Sequence, residues 1–358
     1  MKAPALGPER VALGLVILAA LLTFLPARRA SSDDARAASD TTDAGVPESG
    51  TRARTRIGLV FDVGGRGDKS FNDAAYLGLM RAKKELGVEV SFLEPNGSED
   101  REAALRLFAA RGFDLVIGVG FIFSSDIDAV ARAYPSSRFA CVDYAPGAEG
   151  PPPNVAALVF REEEGSFLVG AAAGMLTKTH HLGFVGGMIT PLIRKFEAGY
   201  EAGIRATCPT CTLHSAYAGA TPDAFKDPSK GKSLAISEIS AGADVLYHAS
   251  GATGHGVFEA AHDAHVMAIG VDADQYDEMP DTIVTSMVKR MDVTVFEVIR
   301  EVSAARFEGG MHVFGVKEGA VDYVHDGPHA SRIPDAVRSR VEELRAAIVA
   351  GTIKVPSH

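Results

Sequence analysis

The sequence predicts an α/β protein made of two doubly wound parallel-sheet lobes joined by a hinge, and three observations carry that expectation. From position 56 onward, short β-branched runs alternate with helical patterns of about a dozen residues. The alternation is interrupted once, at Pro151-Pro152-Pro153, and then restarts at a similar scale. Finally, 358 residues that are 46% hydrophobic and 23% charged suffice for two cores.

The elements follow in order. In the first module, strands are expected over 57–61, 88–93, 115–119 and 139–142, each a short apolar run bounded by turn residues. Helices at 70–86, 100–111 and 125–133 separate them, and this βαβ order implies parallel pairing. After the prolines comes an extended piece at 155–160 and a helix of small residues at 162–177. The second module has strands at 182–185, 213–217, 245–248 and 266–271, with helices at 191–206, 229–240 and 254–264. The tail reads as a strand at 283–287, a helix at 293–307, a hairpin with a glycine turn over 312–324 and a helix at 333–350. The expected lobes are 56–158 with 284–307, and 159–283 with 308–358.

The N-terminal region reads differently. Lys2 and Arg10 precede the uncharged apolar run Val11 to Leu25, whose length fits a secretory signal better than a bilayer span of about 20 residues. Residues 1–27 are therefore expected to be a signal peptide or an N-terminal anchor. Small residues suited to cleavage occur at Ala27 and at Ala35-Arg36-Ala37. No cysteine follows the run, so lipid attachment there is not expected. Residues 28–55, rich in Ala, Ser, Asp, Thr and Arg, read as a disordered linker. The chain is expected to be exported, to the periplasm or the outer face of the cytoplasmic membrane.

With 36 basic and 46 acidic side chains the formal charge is −10, which argues against nucleic acid as a partner. Gly64 to Ser70 superficially resembles a phosphate loop, but Asp68 stands before the lysine where glycine is required and would repel phosphate. No Gly-x-Ser-x-Gly or His-Glu-x-x-His motif is present. Cys208-Pro209-Thr210-Cys211 has redox-motif spacing, yet it follows a helical pattern instead of opening one; a local disulfide or two free thiols are the open alternatives. His180-His181 reads as a solvated corner, and Cys141 as a small buried residue.

Open parallel sheets bind ligands beyond the carboxyl ends of their strands. Those ends carry Asp62, Gly120-Phe121, Asp143-Tyr144, Gly186-Gly187-Met188, Ser250 to Gly254 and Asp272 to Asp274. Glycines allow close approach, and carboxylates accept hydrogen bonds from hydroxyls or amines.

Several longer stretches extend this pattern. Phe61 to Asp73 (FDVGGRGDKSFND), Gly183 to Met188, Pro191 to Tyr200, His248 to Phe258, Gly270 to Gln275 and Thr285 to Arg290 together resemble the basic membrane protein (BMP) family. The resemblance covers about residues 56–355. It implies a type I periplasmic-binding-protein fold and a role as the substrate-binding component of an ABC importer. The family's best-understood members bind purine nucleosides, while some relatives bind other ligands, including flavins.

Carried over by motif, the resemblance implies that Asp62 and Asn72 bind the base and that Phe71 and Phe196 sandwich the ring. Asp272 and Lys289 would hold the ribose hydroxyls, assisted by Gly251 and Thr253. Phe121 and Asp143 complete the expected site. A flat heterocycle suits aromatic stacking, and one carboxylate can accept both hydroxyls of a diol. The expected partners are a purine nucleoside, a permease and its ATPase, with the binding protein monomeric and no cofactor, metal or catalytic residue. Departures are the missing lipidation cysteine, the absence of tryptophan, and Tyr76 where relatives often carry Trp. The alternatives are an extracytoplasmic sensor for another ligand such as a flavin, and, more remotely, a nucleoside hydrolase using strand-end aspartates.

Overall fold

The computed structural model describes residues 54–95 and 98–358. The apolar run at 11–25, both cleavage motifs and nearly all of the expected linker lie outside them. The first lobe runs β1 (Arg56–Val60), α1 (Phe71–Leu86), β2 (Glu89–Leu93), α2 (Ser98–Ala110), β3 (Leu115–Val119), α3 (Ser124–Ala133), β4 (Arg138–Val142) and β5 (Val155–Phe160). The second runs α4 (Glu162–Leu176), β6 (His181–Met188), α5 (Pro191–Thr207), β7 (Thr212–Gly219) and α6 (Pro228–Ser240), continuing through β8 (Val245–Ala249), α7 (Gly254–Asp263), β9 (Met267–Asp272) and β10 (Ile283–Lys289). The chain returns through α8 (Met291–Ser303) and β11 (Gly310–Phe314), and ends in β12 (Val321–Tyr323) and α9 (Asp335–Val349).

Two six-stranded sheets result, ordered β11-β5-β4-β3-β1-β2 and β12-β10-β9-β8-β6-β7. Every pairing in the first is parallel, and only β12 runs antiparallel in the second. The central strands β3 and β8 are buried along their whole length, because helices cover both faces. None of the described helices is long and apolar enough to cross a membrane.

Two tail expectations are corrected. All but the first residue of the strand expected at 283–287 falls in the first lobe's expected segment 284–307, but β10 pairs with β9, from Ile283 opposite Ala268 to Val288 opposite Asp272. Parallel neighbours are ordinarily joined through a helix. Here the connection holds only a single helical turn, Tyr276–Glu278, so the pattern concealed the adjacency. The expected hairpin at 312–324 does not form. β11 pairs with β5 in the first sheet, and β12 pairs with β10 in the second. Each strand completes an open sheet edge, and the glycine-containing segment between them crosses from lobe to lobe. Alternation with a turn glycine cannot distinguish a reversal from such a crossing.

The chain therefore passes between lobes three times, after Phe160, after Lys289 and after Phe314. These crossings are tied together: Arg161 N–H donates to Phe314 O (2.7 Å), and Arg290 N–H to Ala320 O (2.8 Å).

Helices α4 and α5 pack through glycines. A Cβ on Gly170 would lie 2.2 Å from Tyr200 O, one on Gly199 2.2 Å from Glu163 O, and one on Gly203 2.1 Å from Phe167 O. Backbone cannot yield as a flexible side chain can, so Gly203→Ala must force the helices apart. A loss of about 1–3 kcal/mol is expected, read as a lower urea midpoint with unchanged slope.

Candidate ligand-binding site

Strand carboxyl ends from both sheets face one interlobe cavity of about 60 Å³, a concave, mostly apolar site with a few placed polar groups, as small-molecule sites are. Asp62, Asp68, Phe71, Asn72, Phe121 and Asp143 line it from the first lobe. Leu192, Ile193, Phe196, Phe225, Gly251, Asp272 and Lys289 line it from the second.

The glycine loop between β1 and α1 is organised by carboxylates, not built for phosphate. Gly64, Gly65 and Gly67 all adopt positive φ, which lets the loop fold tightly. The buried Asp68 accepts N–H bonds from Ser70 (3.0 Å), Asn72 (2.8 Å) and Asp73 (3.1 Å), occupying the free donors at the start of α1. Asp73 accepts from Gly67 (2.9 Å) and Lys69 (3.1 Å). Phe71 is thereby fixed as the first residue of α1, facing the cavity.

The opposing ring is set by α5. Thr190 Oγ1 accepts the Ile193 N–H (3.2 Å) and Pro191 occupies the first turn, so the helix starts at the cleft. Leu192, Ile193 and Phe196 then point into the cavity, while Tyr200 and Ile204 continue the stripe into the core. Phe196 both packs in the core and lines the site. Phe121 and Phe225 meet edge to face across the lobes, with ring centres 6.3 Å apart.

Charge is concentrated at the hinge. Lys289, only 2% exposed, is gripped by both carboxylate oxygens of Asp143 (2.7 and 2.9 Å) and lies 3.6 Å from Glu162. Glu162 is fully buried and also pairs with Lys195 at 3.0 Å. Burial alone would push the Lys289 ammonium down, but Asp143, Glu162 and Asp272 outweigh it and hold the group well above the usual lysine range. Asp272 accepts from Ser70 Oγ (2.7 Å) across the lobes. Burial lifts its carboxyl to about 6, against the opposing pull of Lys289. Burial likewise lifts Asp62 to about 7, partly countered by the Val63 N–H on its Oδ1.

Nine of the ten expected site residues line the cavity, and one does not. Thr253 is fully buried away from it: its hydroxyl donates to Ala224 O (2.8 Å) and accepts from Asp227 N–H (2.8 Å), pinning the loop before α6. The β-branched hydroxyl at a helix start is satisfied locally, a competition the motif does not reveal. Asn72 lines the site, but its Oδ1 accepts the Asp62 N–H (3.0 Å) and its Nδ2 donates to Asp68 (3.1 Å), so it shapes the loop. Lys289 was expected beside Asp272; its direct partner is Asp143.

Sequence reasoning missed Asp68, Phe225 and Glu162. Asp68 carried a signal, because an aspartate before a helix start is a capping residue. Glu162 opens a run of three glutamates ahead of an apolar small-residue helix, and such a run reads as a solvated helix start. Phe225 ends a single 3-10 turn, Pro222–Phe225, too short to carry a periodic signal.

Two α/β lobes, tied by three crossings around an aromatic and carboxylate-lined cavity, define the type I periplasmic-binding-protein fold. A solved solute-binding protein of an ABC transporter system from Aeropyrum pernix K1 is 32% identical, with a TM-score of 0.75, covering 85% of this chain and 93% of that one. Residues 55–358 match the Bmp family, described as ABC transporter substrate-binding protein PnrA-like, and the chain belongs to that family. It is 33% identical to a CD4+ T-cell-stimulating antigen of Listeria innocua, over 96% of this chain and 98% of that protein. It is also 31% identical to the ABC transporter nucleoside-binding protein BmpA of Lactococcus lactis, over 86% and 92%. The family comprises substrate-binding proteins, not enzymes, which implies a small-molecule ligand with a permease and ATPase as partners.

Proposed function

We propose that this protein is an extracytoplasmic receptor that delivers a purine nucleoside to an ABC permease. One observation carries the reading: Phe71 and Phe196, from opposite lobes, border the same cavity with their ring centres 4.9 and 5.6 Å from Lys289 Nζ. A flat base fits between two such faces, and closure about the three crossings would bring them together. Asp62 supplies an acceptor for the base edge. Asp272 and Lys289 supply an acceptor and a donor for the ribose hydroxyls. The nucleoside-binding name of the Lactococcus relative supports the same ligand class. The monomer suffices for this role, since both halves of the site come from one chain.

Charge sharpens the specificity. Asp62, Asp68, Asp143 and Asp272 line the cavity, and among the described residues lining it Lys289 is the only basic one, already held by Asp143. A phosphate dianion placed there would meet repulsion and find no free cation among the described lining residues. Calorimetry is therefore expected to detect binding of adenosine, guanosine or inosine, with the corresponding 5′-monophosphates at least about a hundredfold weaker, some 2.7 kcal/mol. Absence of binding by every purine nucleoside at millimolar concentration would overturn the ligand assignment. Equal affinity for a nucleotide would overturn the electrostatic account.

A further inference from the structure

The strand ends opposite the cleft carry a second cluster of chemistry. Cys208 caps the C-terminus of α5, Cys211 precedes β7, and the two sulfurs form a disulfide. His180, immediately before β6, lies beside them with Nδ1 3.7 Å from Cys208 Sγ. One ring nitrogen of His180 and both sulfurs fall within 4.8 Å of one another. Strand β6 spans His181 to Met188, so this corner lies roughly 20 Å from the cleft end of the sheet.

The imidazole is held there by a built loop. Asp244 accepts N–H bonds from Lys178 (2.6 Å) and Thr179 (3.0 Å) and the hydroxyl of Thr177 (2.5 Å). His180 N–H in turn donates to Thr177 Oγ1 (3.1 Å), and its carbonyl accepts from Thr212 N–H (2.9 Å). His180 adopts a left-handed φ of +64°, a conformation that costs a non-glycine residue about 1 kcal/mol or more and needs such support. The loop aims the ring at the cysteines.

We propose that Cys208, Cys211 and His180 form a thiol-gated zinc site: a disulfide when oxidised, a Cys2His site for one Zn²⁺ when reduced. A Cys-x2-Cys pair is a common zinc-ligand spacing. With Zn–S near 2.3 Å and Zn–N near 2.05 Å, a tetrahedral ion separates S and N by about 3.6 Å, close to the 3.7 Å between Cys208 and His180. The third ligand comes from 28 residues away, which is why the sequence shows only the cysteine pair.

Gating requires a dithiol reductant. Its first thiolate attacks the partly exposed Cys211 Sγ; the sulfur–sulfur bond breaks, and the electron pair leaves on Cys208, the buried sulfur beside His180. The reductant's second thiol then displaces Cys211 and closes its own disulfide. Two electrons and two protons have moved from the dithiol to the cysteine pair. Zn²⁺ binding expels both thiol protons to solvent and takes the Nδ1 lone pair of neutral His180, leaving the fourth position for water.

The test uses the full chain, fully oxidised or reduced by a dithiol that is then removed anaerobically. Co²⁺ serves as spectroscopic probe, and Zn²⁺ affinity is measured by chelator competition. The oxidised chain is expected to give no thiolate-to-cobalt charge transfer, and the reduced chain one equivalent of a tetrahedral site that Zn²⁺ displaces. His180→Ala should weaken Zn²⁺ binding at least about tenfold while leaving both thiols in place. Cys208→Ser with Cys211→Ser should abolish it, although the buried thiol Cys141 remains. Circular dichroism of the reduced chain checks that it stays folded. Absence of charge transfer, unfolding on reduction, or unchanged affinity in His180→Ala would each overturn the assignment.

Discussion

Lys289→Met is expected to destabilise the protein by about 3–5 kcal/mol and to eliminate ligand binding, the largest effect of any single substitution in the cleft. Removing one member of a buried charge cluster leaves the others unpaired, and that penalty exceeds what the pair itself contributes. Here Asp143 and Asp272 lose the cation that offsets their burial, and Glu162 is left with Lys195 alone. Asp272 and Glu162, whose carboxyls burial already lifts to about 6 and about 7, can relieve the cost by taking up protons, so the loss should be greater at pH 8 than at pH 5. Urea denaturation of the variant at both pH values checks this, beside calorimetry with a purine nucleoside. A loss below about 1 kcal/mol at pH 8 would show that the carboxylates are already neutral, and the electrostatic description of the hinge would fail.

Asp62→Asn should act in the opposite direction on stability. The folded chain holds the Asp62 carboxyl at about 7, against an ordinary 3.8. Between roughly pH 4 and 7 the folded state keeps a proton that the unfolded chain releases, so ligand-free stability falls as pH rises through that window. The amide removes this dependence and can still accept the Val63 N–H. At about 1.4 kcal/mol per pH unit, the gain at pH 8 is expected to reach at most about 4 kcal/mol, with little change at pH 4. Asp272, lifted to about 6, adds a smaller fall in the same sense. Binding should weaken meanwhile by about 10- to 100-fold, the loss of one charge-assisted hydrogen bond. A denaturation series from pH 4 to 8, with and without nucleoside, reads both effects. A variant that is no more stable at pH 8 than the parent would refute the strain assigned to Asp62.

The two variants rank what the site costs and what holds it. Asp62 is a burden on the empty protein that ligand contacts would relieve, whereas Lys289 is structural and functional together. This agrees with the position of Lys289, which ends β10 at the second lobe crossing, and of Glu162, which follows the first.

Much of this was legible from the chain alone. The alternation of strands and helices, the restart after Pro151-Pro152-Pro153, and the strand ends bearing Asp62, Asp143 and Asp272 are local patterns. Hydrophobic periodicity and turn chemistry produce them without reference to distant residues. Phe71 and Phe196 could be named as opposing rings by the resemblance to a family, and the cavity contains both.

Other features depended on contacts that no local pattern encodes. The membership of β10 and β11 in their sheets was decided by which edges remained open, a property of the assembled sheets. Thr253 left the site because Ala224 and Asp227 claimed its hydroxyl. The partner of Lys289 is Asp143, 146 positions away, and the ring that completes the cysteine corner is His180. Sequence determined the elements, the two-lobe architecture and most of the residue types at the cleft. Tertiary structure decided the lobe crossings and the pairing of buried charges, because a buried ion takes the partner that folding brings within about 3 Å, wherever that partner lies in the chain.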